Sequence, residues 1–333
     1  MGALWLGGCS RTKPAGESEP PPRSPASGAP PAAFVEAEVT PDPGMLAAGS
    51  PPVEGLRYWA RPVTTPEEFM EEAAGAGIEL MRAVEVFETR ELLAAIAPNT
   101  MILLHPGRYE ITESEGPGHG LDSAYYDGES IHDVHDLALI GVGPGSTALI
   151  QADSYASVLS FTNVENLALF NLTIGHRPEY GWCMGDVVRI IDGRNVLIAG
   201  TTLFGSGTEG LSLVSVDGLR LHDSVITDCS EQFSTISNSR DVVYEDVDIA
   251  GNDSELLRGF GVYHSTLRLR GVHVFDNHEL AWEGDWGMFT VDGSYDPGRL
   301  YIDPPTILEP GRTVSEIVLE NTVIDGETYN RAL

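Results

Sequence analysis

Apolar residues recur two apart in seven short segments that superimpose: DLALIG (136–141), NLALFN (166–171), NVLIAG (195–200), GLRLHD (218–223), DVVYED (241–246), TLRLRG (266–271) and EIVLEN (316–321). The paired positions are Leu137 and Leu139, Leu167 and Leu169, Val196 and Ile198, Leu219 and Leu221, Val242 and Tyr244, Leu267 and Leu269, and Ile317 and Leu319. That is strand periodicity with one face buried. Two positions after the second apolar residue come Gly141, Asn171, Gly200, Asp223, Asp246, Gly271 and Asn321, residue types that tolerate a left-handed backbone, so a sharp turn is expected there. A further alternating strand then ends in Ile174, Leu203, Ile226, Ile249, Val274 and Ile324.

The first apolar positions are separated by 30, 29, 23, 23 and 25 residues from Leu137 to Leu267, and a step of 50 reaches Ile317. A strand-turn-strand unit of this size cannot bury its inner face alone. Copies stacked in register hydrogen-bond strand to equivalent strand and build a continuous apolar interior. The reading is a parallel β-solenoid. Leucine-rich repeats have a similar period but need a helical back, whereas these units show strand patterns on both sides of the turn. In the interior, Leu169, Ile198, Leu221, Tyr244 and Leu269 are expected to form one ladder.

These segments resemble the right-handed parallel β-helix family with the pectin and pectate lyase fold. The resemblance extends upstream: TRELLAAI (89–96) reads as a short helix and NTMILLHPGRYEIT (99–112) as the first strand and corner, spanning about residues 87 to 325 in all. It implies an all-β, single-stranded right-handed parallel β-helix over 99–333 with a short N-terminal helical cap in 57–98, where Thr65 and Pro66 would begin a helix. It also implies activity on, or binding of, polysaccharide.

The N-terminus reads MGALWLGGCS, then a run rich in Pro, Ser, Gly and Ala to about residue 56. Leu6-Gly7-Gly8-Cys9 resembles the lipobox of bacterial lipoproteins, which implies acylation at Cys9, a truncated signal over 1–9 and a disordered linker over 10–56. The apolar core is short and no positive charge precedes Cys9, so the translated start is expected further upstream. Ser10 resembles the pattern of lipoproteins sent to the outer membrane, and a Pro-rich linker suits a tethered domain. A cell-envelope or extracellular monomer is the expectation.

Composition narrows the chemistry. The 333 residues carry 19 Lys+Arg against 50 Asp+Glu, a formal charge of −31, which repels phosphate backbones and excludes nucleic acid as a natural partner. Lys13 is the single lysine, so the folded part has no Schiff-base or lysine-base chemistry. The 3 cysteines cannot make a disulfide framework; Cys183 and Cys229 are read as free, buried thiols.

Candidate chemistry lies in the long corners that follow the same strand in successive coils: 175–186, 205–210, 228–232, 251–259 and 276–287. Trp182, Trp282 and Trp286 there are either stacking platforms for a sugar ring or loop anchors, and His176 and His278 are candidate ligand contacts. Neighbouring coils lie about 4.8 Å apart. Asp228 and Asp276, two coils apart, would then approach the carboxyl separation of an inverting glycosidase. Glu209 and Glu231, one coil apart, would lie near 5 Å, where like charges raise one pKa or call in a cation. Glu209, Asp228, Glu231 and Asp276 are therefore candidate calcium ligands as well as candidate catalytic groups, or simply solvated charge. Arg258 is the one candidate arginine base. The Asn-Thr-Asp, paired Asp-Asp, Gly-His-Gly and Arg-Ile-Lys motifs of polygalacturonase-like proteins are missing, as is the Trp-Ile-Asp-His segment of pectate lyases. The preferred reading is a lipid-anchored glycan-binding protein; a glycoside hydrolase or lyase using stacked carboxylates is the alternative.

Overall fold

A computed structural model describes residues 53, 56–60, 62–63, 69, 71, 74–75, 77–111, 125, 130–153, 155–177, 183–252, 254, 256–278, 288–291 and 315–333. All of them fall in the compact unit Pro43–Leu333. Parallel strands, one above another, form three sheets around a shared interior. The first sheet stacks Leu139, Leu169, Ile198, Leu221, Tyr244, Leu269 and Leu319 in register. The second stacks Tyr109, Leu149, Ile174, Leu203, Ile226, Ile249, Val274 and Ile324. The third stacks Phe161, Ile190, Leu213, Ile236 and Val262. The fold is a parallel β-solenoid with three strands to a coil.

The expected ladder from Leu169 to Leu269 lies wholly inside, each member 0% exposed. Tyr244 belongs there because its hydroxyl bonds Ser234 Oγ at 2.8 Å, and Ser234 in turn donates to the Leu211 carbonyl. The 50-residue step is one coil, since Leu267 pairs directly with Ile317. At the corner after the first sheet, Asn171, Gly200, Asp223, Asp246, Gly271 and Asn321 are left-handed as expected. Gly141 is not; there the demand is space, since a Cβ would stand 2.5 Å from the Asn171 carbonyl oxygen. The corner between the third and first sheets holds two left-handed residues per coil, three positions apart: Asp133 and Asp136, Asn163 and Asn166, Asp192 and Asn195, Ser215 and Gly218, Asn238 and Asp241.

The helix Thr89–Ala95 covers the N-terminal end, burying Leu92 and Leu93. In 57–98 the structure also places a strand, Arg82–Val86, which pairs with Thr100–Leu104 and makes the first rung. Val84 and Val86 supply its two-residue period between charged neighbours that disguise it. Thr65 and Pro66 lie outside the described residues, although Phe69, Glu71, Ala74 and Gly75 are helical. A strap runs along the outside. Leu56 is buried against Ala148, Ile150 and Phe204 on the second sheet. Phe69 and Ile78 bury Ala138, Ile140, Ala168, Phe170, Leu197 and Ala199 on the first. Between them the Ala60 amide donates to Thr202 Oγ1 at 2.8 Å and the Val63 amide to Asn171 Oδ1 at 3.0 Å.

Candidate functional site

The loop-bearing corner feeds the strands of the third sheet, and just before those strands the register lines up one polar residue per coil. Leu211 pairs with both Val188 and Ser234, and Ser234 with Phe260. Two positions back from these stand Asp186, Glu209, Gln232 and Arg258. The pairing of Glu209 with Gln232 is direct. Glu209 and Glu231 are therefore not register partners: Glu231 stands one position earlier, level with Thr208, and its carboxylate meets Arg258 Nη2 at 3.5 Å.

Asp186 is 6% exposed and accepts a hydrogen bond from Thr208 Oγ1 at 2.9 Å. The half-buried carboxyl of Glu209 stands against it and against Thr235, whose Oγ1 lies 2.8 Å from Glu209 Oε1 and 2.7 Å from Gln232 Oε1. Gln232 presents its Nε2 on the opposite side, toward Gly261 and the Tyr263 ring. Thr235 has one hydroxyl proton and two oxygen neighbours. Both contacts are hydrogen bonds when one neighbour donates back to Thr235, as a protonated Glu209 carboxyl or the turned amide of Gln232 can. Glu209 also shares a hydrogen bond with Asp186, which requires one proton between the two carboxyl groups. Burial, then the hydrogen bond and charge of Asp186, push the Glu209 pKa from the ordinary 4.5 up to about 9.

A linkage follows with a definite sign. A carboxyl whose folded-state pKa is raised contributes stability fully present below its unfolded value and lost as pH rises through the folded value. The melting temperature should fall from about pH 5 towards pH 9, and Glu209→Gln should flatten that fall. Parallel profiles in thermal melts would contradict a protonated Glu209.

The remaining candidates separate. Asp228 and Asp276 occupy equivalent left-handed corner positions two coils apart. The strap has entered between them: Tyr58 Oη donates to Asp276 Oδ2 at 2.5 Å, Arg57 Nη1 lies 3.4 Å from the same oxygen, and the Tyr58 ring packs over Gly251 in the intervening coil. Burial raises the pKa of Asp228. The pair has become a seat for the chain's own N-terminal segment, which no spacing rule could anticipate.

His176 is 3% exposed, with Nε2 2.9 Å from the Ala156 carbonyl oxygen, so burial rather than a ligand claims it and lowers its pKa. The His278 amide bonds the Asn252 carbonyl. Arg258 is a cation held by Glu231 rather than a group placed to accept a proton. Cys183 and Cys229 are buried and form no disulfide, as expected. Among the described residues no three His, Cys, Asp or Glu side chains converge as a metal-ligand set. Trp182, Trp282, Trp286 and Cys9 lie outside the described residues. No described helix is long and apolar enough to cross a membrane.

No protein-family model matches the chain, and no curated protein matches it in sequence. Solved structures do. The A-module of an Azotobacter vinelandii mannuronan C-5 epimerase aligns at 15% identity over 58% of this chain and 57% of its own, TM-score 0.44. A pectin methylesterase bound to a hexasaccharide aligns at 10% over 71% and 84%, TM-score 0.40. A Bacillus sp. N165 pectate lyase bound to trigalacturonate aligns at 15% over 75% and 83%, TM-score 0.32. Likeness at this level carries no residue correspondence.

Proposed function

We propose that the protein engages a polysaccharide along its loop-bearing side and acts on it with Glu209 as proton donor and Asp186 as its carboxylate partner. The observation that carries this reading is the hydrogen bond between the Glu209 and Asp186 carboxyl groups, which requires a proton on the pair. Two carboxyl groups one coil apart divide their roles: the neutral one can protonate a leaving oxygen, the charged one can stabilise the positive charge that develops or take the proton of an incoming nucleophile. The long corners on the same side supply length for an extended ligand, with Trp182, Trp282 and Trp286 as its stacking surfaces.

The test is incubation with a panel of polysaccharides, read as new reducing ends, unsaturated products or released ester groups. Glu209→Gln should cut turnover by about 10²–10⁴-fold, the range of general acid catalysis, and Asp186→Asn comparably. Trp282→Ala should weaken binding instead. A second reading, a binding module without turnover, is favoured by the near-complete burial of Asp186. In that case no polysaccharide is turned over, and Trp282→Ala is the more damaging change. We further place the protein at the bacterial cell envelope through an acyl anchor on Cys9, which mass spectrometry of the envelope-extracted protein tests directly.

A further inference from the structure

The corner between the third and first sheets is concave over six successive coils, from Asp133 to Thr266. Two left-handed residues three positions apart fold each coil inward there, from Asp133 to Asp241, and each arch lies beneath the next. The stacked notches make a groove of about 810 Å³ that continues to His264. Six coils at the inter-strand spacing give it a length of about 24 Å. It lies at the opposite end of the third-sheet strands from the Asp186 and Glu209 pair, and the proposed function makes no use of it.

Two features define what would fit. Both arginines of the groove are matched by carboxylates of adjacent coils, Arg240 by Asp217 and Arg194 by Glu165, while Asp133 and Asp192 add two further carboxylates. The strip thus holds no excess positive charge to attract an anion, and its remaining carboxylates are acceptors for ligand hydroxyls. The lip, by contrast, carries exposed short polar side chains at one-coil intervals, Asp192, Ser215 and Asn238, each held outward by its left-handed backbone. Donors and acceptors therefore repeat about every 4.8 Å. An extended peptide repeats at about 3.4 Å per residue and falls out of step; a pyranose ring in an extended chain is close to one coil in length.

We propose that this groove is a binding site for a neutral, extended polyhydroxyl chain, a linear glycan of about five sugar units, distinct from the loop-bearing side. The proposal stands whether or not Glu209 acts as an acid.

The experiment uses the full chain and cellohexaose, followed by titration calorimetry and by chemical-shift changes. Binding should be insensitive to salt up to 0.5 M, because no ligand charge is involved, should weaken at least tenfold with cellotriose, which spans half the rungs, and should survive Glu209→Gln. Ser215→Arg, which fills the middle of the groove from an exposed lip, should weaken it at least tenfold. Ser215→Arg itself should keep the parent's circular dichroism and melting, because Ser215 is exposed, and those two measurements control for folding. Overturning outcomes are no binding of cellohexaose at millimolar concentration, binding that Ser215→Arg leaves intact, or preferential binding of an extended peptide. Binding lost with Trp282→Ala but kept in Ser215→Arg would assign the glycan to the loop-bearing side alone.

Discussion

Ile198→Asp should abolish cooperative folding at 37 °C or cost more than about 4 kcal/mol in urea denaturation, among the largest effects a single substitution produces. Ile198 is 0% exposed and lies between Leu169 in one coil and Leu221 in the next. A carboxylate there loses the apolar contact and has no partner for its charge. In a solenoid the damage spreads, because each coil is stabilised by the faces of its two neighbours. The matching control is Val243→Asp on the outer side of the same sheet. Val243 pairs with Arg220 and Arg268 in the flanking coils, so the new carboxylate enters between two guanidinium groups and should change stability by less than about 1 kcal/mol. Equal losses from the two variants would mean that the inside and outside of the sheet have been misassigned.

Gly207→Ala should be nearly as damaging, at about 3 kcal/mol or more, and it should reach the site. A Cβ on Gly207 would stand 1.3 Å from the Cys183 carbonyl oxygen, a collision between two backbones that no side-chain rotation relieves. The segment that would have to move, Cys183 to Asp186, carries one member of the carboxyl pair and a thiol seated between Gly205 and Gly207. Cys183 Sγ donates to the Gly205 carbonyl at 2.8 Å and accepts the Gly207 amide at 2.7 Å. Thiol titration should find the parent's Cys183 unreactive, since it is 2% exposed and burial raises its pKa, and the variant's reactive. Gly145→Ala, which meets nothing within 4 Å, is the control and should melt near the parent.

The interior was legible in the chain because β-solenoid order is written as a one-dimensional code. Period-two apolar pairs followed by Asn, Asp or Gly fixed which residues stack, and the structure pairs Leu137, Leu167, Val196, Leu219, Val242, Leu267 and Ile317 as the sequence steps require. The site was legible only in part. Glu209 stood among the expected carboxylates, but its partner was sought by corner similarity, which chose Glu231. Counting back two residues from the paired strand positions Val188, Leu211 and Ser234 finds Asp186, Glu209 and Gln232, a rule that needs the register and not the loop lengths. The fate of Asp228 and Asp276 was beyond any such rule. Their occupant, Tyr58, comes from 218 residues away in sequence in the case of Asp276, and no periodicity connects a strap to the surface it crosses.

That strap divides the outer surface of the first sheet into two chemistries. Beneath it the outward residues are Ala138, Ile140, Ala168, Phe170, Leu197 and Ala199. In the later coils the same outward rows hold Arg220, Arg268 and Arg270 joined to Glu245 and Glu320 by ion pairs. The early coils are therefore sealed on both faces of the sheet by apolar contact, while the late ones rely on their inner face and on exposed pairs that salt screens. Such a molecule melts with a direction. Amide exchange should fade from the C-terminal coils inward, leaving the strapped coils as the last protected unit. A protease cut between Val63 and Phe69 would turn that durable half into the half exposing the more apolar surface.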